Sequence, residues 1–225
     1  MNKLFNLDSP FMTAMSRLTD MVFLSVLWAV CCLPVITIGP ATAAMCYVAL
    51  KWARGESVKI FQTFFQAFKS NFKQGVALNL IFMVVGVVLL LDYIIMSGVE
   101  GAAGTVCSVC FFVMGIWMLC IMFYAYPLQA QFFNTVRQTL INAAILSMRR
   151  FPDTILLFAL NMLPLIVALL SMEVFVRLAP VWVLLAPGVL ATLCGKRFAK
   201  IFAPYLEPAE ETEEISEDVC EECEI

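Results

Sequence analysis

The strongest constraint on this sequence is a series of apolar runs close in length to a membrane-spanning helix. Several of them approach or exceed the ~20 residues that cover a ~30 Å hydrocarbon core. The runs are continuous rather than alternating, which favours helices over strands. Of the 225 residues, 62% are hydrophobic and 14% are charged, against about 45–50% and about 25% in ordinary soluble domains. The sequence therefore predicts an all-α fold, a polytopic integral membrane helical bundle.

Charge divides the chain into two parts. Ten of the seventeen acidic residues lie in residues 207–225, and all fourteen Lys and Arg precede them, so residues 1–206 carry a net charge of +7. We predict a single integral membrane domain over residues 1–206 and a cytoplasmic tail over residues 207–225, which repulsion among its acids keeps disordered. The basic residues stand in short clusters beside apolar runs, which is typical of topology signals and not of a nucleic-acid-binding face.

The segment Leu33–Pro40 allows two membrane topologies. Pro34 extends a helix poorly, whereas Gly39 and Pro40 supply a flexible residue followed by the favoured first helical position for proline. If the segment continued the preceding span, the amino terminus would lie outside. If it is a turn formed by Pro34, Gly39 and Pro40, both termini lie on the side of the basic residues. We favour the turn, because every segment rich in Lys or Arg then faces the cytoplasm.

The turn predicts about six segments in the cell membrane, with both termini cytoplasmic. The predicted segments cover about residues 16–33, 40–54, 74–96, 106–126, 152–170 and 174–195. The second is only ~22 Å long at ~1.5 Å per residue. It is therefore either a short span or a re-entrant limb.

Two amphipathic helices are predicted on the cytoplasmic side. From Val58 to Lys73, phenylalanines recur every three or four residues opposite lysines and glutamines, which is typical of a helix lying in the membrane interface. A partner-binding helix, such as a calmodulin-like target, is the alternative. After Pro127, apolar residues recur every four positions until Arg149–Arg150, which predicts a second interfacial helix.

Residues that carry catalytic chemistry are scarce. The chain has no histidine, which removes the commonest general base and a favoured metal ligand. Seven of its nine cysteines lie in apolar stretches, where cysteine acts as a small packing residue; a redox pair of Cys107 and Cys110 is the alternative. The tail offers the single pair Cys220 and Cys223, whereas a structural zinc site needs four ligands. We predict no enzyme activity, no cofactor and no metal.

A few polar residues within apolar runs are candidates for lining a polar cavity. Asn79 and Asn161 lie deep in their spans, where an amide either bonds to a neighbouring helix or faces a cavity. Asp92 lies about one turn from the end of its span and faces either the interface or an outward cavity. Glu173 and Arg177 are four residues apart and are expected to pair on one helix face.

One set of residues resembles a known family. The set comprises Asn6-Leu7-Asp8-Ser9-Pro10-Phe11, Ser16-Arg17-Leu18-Thr19-Asp20, Cys32 to Thr42 with Ala44 and Tyr47, Arg54-Gly55-Glu56 and Phe68 to Gln74. It resembles the YesL-like bacterial membrane proteins, the domain-of-unknown-function family 624, most specifically over residues 5–75 and in general layout to about residue 205. Pro40 stands where that family is expected to have a small residue, and the acidic tail lies outside its pattern.

The resemblance implies a cytoplasmic-membrane protein of Gram-positive type bacteria, often encoded beside carbohydrate uptake and degradation systems. No catalytic residue is established for the family, so none is transferred. We expect a non-enzymatic accessory of carbohydrate uptake that contacts the lipid bilayer and the subunits of a carbohydrate ABC transporter. The alternative is a self-sufficient carrier of small solutes, suggested by the broken helix at Pro34–Pro40 and by Asn79 and Asn161.

Overall fold

The computed structural model describes residues 10–132, 134–178, 182 and 184–203. Within these residues every regular element is a helix, as predicted. The elements are α1 (Pro10–Cys31), a 3₁₀ turn (Val35–Thr37), α2 (Ile38–Ala53), α3 (Ile60–Ser70), α4 (Phe72–Ser97), α5 (Ala102–Gln131), α6 (Val136–Arg149), α7 (Phe151–Leu170) and α8 (Met172–Arg177), with α9 over residues 186–203. The acidic tail and its cysteine pair lie outside the described residues.

Three of the described helical segments are long and apolar enough to cross a membrane. They are Val35–Ala53, Phe72–Ser97 and Ala102–Gln131, and Phe151–Leu163 is a shorter apolar helix. α4 has 26 residues and α5 has 30, which is ~39 Å and ~45 Å of helix at ~1.5 Å per residue. Their length and composition indicate association with a membrane.

The chain divides into two regions that differ in how they are packed. The first, which we call the body, contains α1–α3, α6, α7 and α9 together with the first turns of α4 and the last turns of α5. Its core includes Leu78 and Phe82 of α4, Tyr124 and Leu128 of α5, and Phe198 of α9, all with less than a tenth of their surface exposed. A second buried cluster joins α1, α2, α3 and α9.

The second region, the distal hairpin, comprises residues 83–117 and leaves the body as two paired helices. Large apolar side chains here are exposed along the length of both helices, for example Leu90 at 57% and Val106 at 61%. Within the hairpin only Gly104 is buried, against the backbone of Val99 at the connecting loop. Such a continuous apolar surface requires an apolar surrounding, which a lipid bilayer supplies.

The turn between α1 and α2 is held by a threonine hydroxyl. The Oγ1 atom of Thr37 lies 2.6 Å from the carbonyl oxygen of Cys31 and 2.7 Å from that of Pro34. Pro34 has extended backbone angles and precedes the 3₁₀ turn. Thr37 therefore ties the end of α1 to the turn.

α2 begins at Ile38, two residues before the predicted start at Pro40, so Gly39 and Pro40 both lie in its first turn. Proline is tolerated there because the first amide groups of a helix have no intrahelical acceptor. The sequence suggested that Gly39 provides flexibility, but the structure gives it a packing role. A Cβ atom on Gly39 would overlap the carbonyl oxygen of Gly75, and one on Gly75 would lie 2.8 Å from the nitrogen of Pro40.

The contact between Gly39 and Gly75 fixes where the α1–α2 turn lies along the length of α4. Gly75 lies in the first turn of α4, whereas the six-segment topology places the α1–α2 turn and the start of α4 at opposite membrane faces. A helix that spans the bilayer beside α4 would bring its far end to the far end of α4. The contact thus places the α1–α2 turn beside the first turn of α4 and not beside its far end.

α9 closes the body through two further glycine contacts. The amide of Gly188 donates a buried hydrogen bond of 2.8 Å to the Ser25 hydroxyl of α1. A Cβ atom on Gly195 would lie 2.8 Å from the carbonyl oxygen of Ala49 in α2. Small residues allow this close approach, which supplies packing energy where lipid removes the hydrophobic driving force.

α5 does not end at Pro127 as the sequence suggested, but continues to Gln131. The residues from Tyr124 to Ala130 are all buried, so surrounding helices hold the chain in a helical path despite the missing amide. The following helix is α6, which begins at Val136 behind a capping box formed by Thr135 and Gln138.

α3 has one buried and one exposed face, but the phenylalanines predicted to share the apolar face do not all lie on the buried one. Phe64 is fully buried and Ala67 is 4% exposed, whereas Phe61 is 57% exposed. Phe64 packs in the cluster that includes Ala44 and Val48 of α2. The buried face of α3 therefore contacts α2. The position of α3 relative to the membrane interface stays a prediction.

Candidate functional site

The largest cavity described in the body has a volume of about 510 Å³ and lies between α1, α2, α4, α5, α7 and α9. Its lining is mainly apolar and aromatic, with a few amides and hydroxyls. The polar and thiol-bearing residues that line it are Thr42, Cys46, Asn79, Tyr126, Asn161 and Cys194, together with the indoles of Trp28 and Trp182. The cavity brings together Asn79 and Asn161, two of the three polar candidates from the sequence.

Asn79 connects the α1–α2 turn to α5. Its Nδ2 donates a hydrogen bond of 3.0 Å to the carbonyl oxygen of Val35. Its Oδ1 accepts a hydrogen bond of 3.4 Å from the Tyr126 hydroxyl. Asn79 therefore makes the interhelical contacts expected of an amide inside a membrane protein, and it lines the cavity at the same time.

Thr42 and Trp28 form a second polar contact in the lining. The indole N–H of Trp28 donates a hydrogen bond of 3.3 Å to the Thr42 hydroxyl. That hydroxyl in turn donates to the carbonyl oxygen of Ile38, at 2.7 Å. The two bonds fix the Trp28 ring between α1 and α2.

Asn161 lines the opposite side of the cavity, on α7. Its Nδ2 donates to the carbonyl oxygen of Leu157 at 2.8 Å and approaches the Cys194 sulfur of α9 at 3.8 Å. Its Oδ1 accepts no hydrogen bond from the described residues. Asn161 thus presents to the cavity an acceptor that none of the described residues satisfies.

A further acceptor follows from Pro127, which also lines the cavity. Proline has no amide hydrogen, so the carbonyl of Phe123, one turn earlier in α5, lacks its usual helical donor. Phe123 is itself a lining residue. The wall of α5 therefore carries a carbonyl group whose hydrogen bond within the helix is missing.

The lining residues include no Asp, Glu, Lys or Arg among the described part of the chain. An ion in such a cavity would lose its hydration without gaining a counter-charge, which is strongly unfavourable. The arrangement suits the binding of an uncharged molecule. It offers no acid and base pair for proton transfer.

Asp92, the third polar candidate, lies away from this cavity in the distal hairpin. It is partly buried, and within the described residues it has no ion-pair partner. Cys107 and Cys110 are exposed in the same hairpin and remain free thiols. Pro34 is exposed at the α1–α2 turn.

Charged residues meet at a separate cavity of about 340 Å³ between α1, α2 and α9. Arg17, Asp20, Glu56 and Lys196 are among its lining residues. A positive φ of 83° at Gly55 turns the chain sharply after α2, as glycine permits. The turn brings Glu56 within 3.2 Å of the Lys51 ammonium.

Three further ion pairs involve residues of α7, α8 and α9. Asp153 at the start of α7 lies 3.9 Å from Arg150 and 3.7 Å from Arg197 of α9. The expected pair of Glu173 and Arg177 is formed on α8. That pair is exposed, so its contribution to stability is small.

Sequence reasoning missed four of the polar residues in the lining, namely Trp28, Thr42, Tyr126 and Trp182. Each is a common residue in an apolar run, and none carries a charge that would mark it. The position of Tyr126 directly before Pro127 was the one available signal, since a proline in a membrane helix often adjoins a cavity or a neighbouring polar group.

Comparison with known proteins gives one match. Residues 21–93 match the model of the family described as a protein of unknown function, DUF624, which confirms the resemblance expected from the sequence. The matched region runs from α1 to α4 and includes the α1–α2 turn, the glycine contact and Asn79. No curated protein matches the chain, and no solved structure does.

Proposed function

We propose, with the match to this family as the premise, that the chain is a non-enzymatic accessory of carbohydrate uptake that acts by docking to the subunits of a carbohydrate ABC transporter. The link to carbohydrate comes from the gene context that the resemblance implies. The structural observation that carries the accessory role is the distal hairpin. It anchors the chain in the bilayer by itself and leaves the body to contact other proteins.

The charge distribution supports an orientation for this accessory. Arg17 of α1 and Lys196 of α9 line one cavity beside the end of α2. The connecting loop of the distal hairpin, residues 98–101, contains no Lys or Arg. By the positive-inside rule we place both termini and this cavity in the cytoplasm, and the hairpin loop outside.

The finer topology is part of the same proposal. We keep about six membrane segments, with the second as a re-entrant limb, and two cytoplasmic interfacial helices, α3 and α6. The contact of Gly39 with Gly75 supports this choice, since it places the α1–α2 turn at the level where α4 begins.

The cavity favours the accessory role over a carrier of sugars. A sugar carries several hydroxyl groups, and each needs a partner when it leaves water. The amides and hydroxyls in the lining mostly bond to the protein, and the described lining has no charged residue. A sugar would therefore remain largely unsatisfied in this cavity.

Co-purification from native membranes tests the accessory role. A tagged chain is isolated in mild detergent from cells grown on inducing carbohydrates, and we expect permease and ATPase subunits of one carbohydrate transporter in the eluate. The tagged Gly115→Leu variant, altered where no atom lies within 4 Å, should recover the same subunits. The tagged Gly75→Leu variant, altered in the packed body, should lose them. Recovery of the intact chain without any transporter subunit would reject the proposal.

A self-sufficient carrier of small solutes is the second candidate, and the cavity of about 510 Å³ beside the α1–α2 turn is the observation that favours it. Proteoliposomes that contain only this chain should then release an uncharged solute faster than empty vesicles. A panel of labelled solutes with no flux above that of empty vesicles would exclude this activity.

A further inference from the structure

We infer that the cavity between α1, α2, α4, α5, α7 and α9 binds an uncharged amphiphile, with an apolar chain and a hydroxyl group as hydrogen-bond donor. The inference is independent of the accessory role proposed above. It rests on the size of the cavity, on the charge of its lining, and on which hydrogen-bonding groups remain available there.

Size and lining define the apolar part of the ligand. The cavity volume of about 510 Å³ falls within the ~300–1,000 Å³ of small-molecule sites. Most of the lining is aliphatic or aromatic, from residues such as Met45, Met122, Leu157 and Leu190. An alkyl chain can fill this space and gains the transfer free energy of leaving water.

The hydrogen-bonding groups define the polar part. Five lining residues each donate at least one N–H or O–H group to a protein acceptor, namely Trp28, Thr42, Asn79, Tyr126 and Asn161, and the indole of Trp182 also lines the cavity. Two acceptors remain in the wall, the Oδ1 of Asn161 and the carbonyl of Phe123 above Pro127. A ligand that supplies a donor can satisfy these two acceptors, whereas one that supplies only an acceptor cannot.

Charge then decides which donor fits. A protonated amine would bring a positive charge into a lining that has no carboxylate among its described residues, and the desolvation cost would oppose binding. A hydroxyl group donates a hydrogen bond without carrying charge. A long-chain alcohol, or the free hydroxyl of a neutral lipid, meets both requirements.

Fluorescence quenching by brominated alkyl chains tests this inference in nanodiscs. The full chain is prepared with Trp28 as its only tryptophan, the other three being replaced by phenylalanine. Trp28 lines the cavity. A matched protein keeps only Trp117, which is 46% exposed on the distal hairpin and so reports the probe dissolved in bulk lipid. The probes are 11-bromoundecanol, methyl 11-bromoundecanoate and 11-bromoundecanoate.

We expect the alcohol to quench Trp28 at a mole fraction about tenfold lower than Trp117, because it gains hydrogen bonds in the cavity that bulk lipid does not offer. This ratio corresponds to about 1.4 kcal/mol. The ester and the carboxylate should not distinguish the two tryptophans. Equal quenching of Trp28 and Trp117 by the alcohol would overturn the inference of a binding site. An ester as effective as the alcohol at Trp28 would overturn the proposed role of the free acceptors.

Two variants localise the binding. Asn161→Leu keeps the branched shape of the side chain but removes the free acceptor. The free-energy preference for the alcohol over the ester should then fall by about half or more. Ala186→Phe fills part of the cavity, and quenching of Trp28 should then match that of Trp117. Circular dichroism identifies variants that retain their helices. If folded Ala186→Phe is still quenched like the parent, the cavity is not the site.

Discussion

The body and the distal hairpin are both apolar, but they are built in different ways. In the body, glycines bring helices into backbone contact, and hydroxyls and amides bond across helices, as between Ser25 and Gly188. In the distal hairpin, side chains are large and exposed, and the hydroxyls of Ser97 and Ser108 bond only within their own helix. Hydrophobicity alone therefore does not separate a packed membrane helix from a lipid-exposed one. The positions of small and polar residues do.

The largest difference in stability is expected between substitutions at Gly75, in the part of α4 that belongs to the body, and at Gly115, in the distal hairpin. Gly75→Leu places a side chain 2.8–3.0 Å from Pro40, and we expect it to destabilise the protein by about 3 kcal/mol or more, since overpacking forces backbone shifts. Gly115→Leu, with no atom within 4 Å, should change stability by less than about 0.5 kcal/mol. Unfolding in mixed micelles with increasing denaturing detergent measures both. Equal effects would contradict the division into two regions.

A charge on the distal hairpin should oppose membrane insertion. Val88, which is 50% exposed on α4, is replaced by lysine, and we expect an insertion cost of about 2.5–3.5 kcal/mol, as for a lysine near the centre of a membrane helix. Lysine at Ile145, 53% exposed on α6, should cost much less if α6 lies at the interface. The inserted fraction in a glycosylation-based insertion assay reports the difference. A small cost at Val88 would show that this surface is not in lipid.

Removal of a single hydroxyl group should destabilise the protein more in the body than in the distal hairpin. Ser25→Ala leaves the buried amide of Gly188 without its acceptor, and we expect a loss of about 1–3 kcal/mol. Ser108→Ala removes a bond within α5, on the lipid-exposed hairpin, and its effect should lie within about 0.5 kcal/mol of zero. The same micelle unfolding assay compares the two. A larger loss of stability in Ser108→Ala than in Ser25→Ala would contradict the assignment of Ser25 to the packed body and of Ser108 to the lipid-exposed hairpin.

The smallest predicted effect concerns the two tyrosines Tyr124 and Tyr93. The Thr154 hydroxyl lies 2.9 Å from the carbonyl oxygens of Ser147 and Arg150. Its single proton is therefore committed, and Tyr124 donates to it over 3.0 Å. Tyr124→Phe should cost about 1 kcal/mol, and Tyr93→Phe on the distal hairpin should cost nothing measurable. Thermal unfolding in detergent, measured at least in triplicate, can resolve this difference in stability between the two variants.

Local features of the fold followed from the sequence because they depend on short-range chemistry. The apolar runs predicted α4 and α7, and the i,i+4 spacing predicted the pair of Glu173 and Arg177. The phenylalanine spacing predicted a helix at α3, but Phe61 and Phe65 are exposed and do not lie on its buried face. Pro127 was misleading, because buried neighbours compensate for a missing hydrogen bond and those neighbours lie far away in sequence.

The site was only partly predictable for the same reason. Asn79 and Asn161 stood out because an amide is rare in an apolar run. That they line one cavity depends on the contact of Gly39 with Gly75 and on the packing of α9 against α1 and α2. These contacts join residues 36 to 163 positions apart, and one sequence gives no direct signal for such pairs.

We propose that the distal hairpin crosses the membrane, so that its loop lies on the opposite side from the basic end of the body. Labelling of single cysteines in a cysteine-free background, with a membrane-impermeant maleimide on intact cells, tests it most directly. Gly98→Cys at the hairpin loop should react from outside, and Ser57→Cys, at the cavity that Arg17 and Lys196 line, should react only after the cells are opened. Labelling of Ser57→Cys in intact cells, or protection of Gly98→Cys until lysis, would contradict the account.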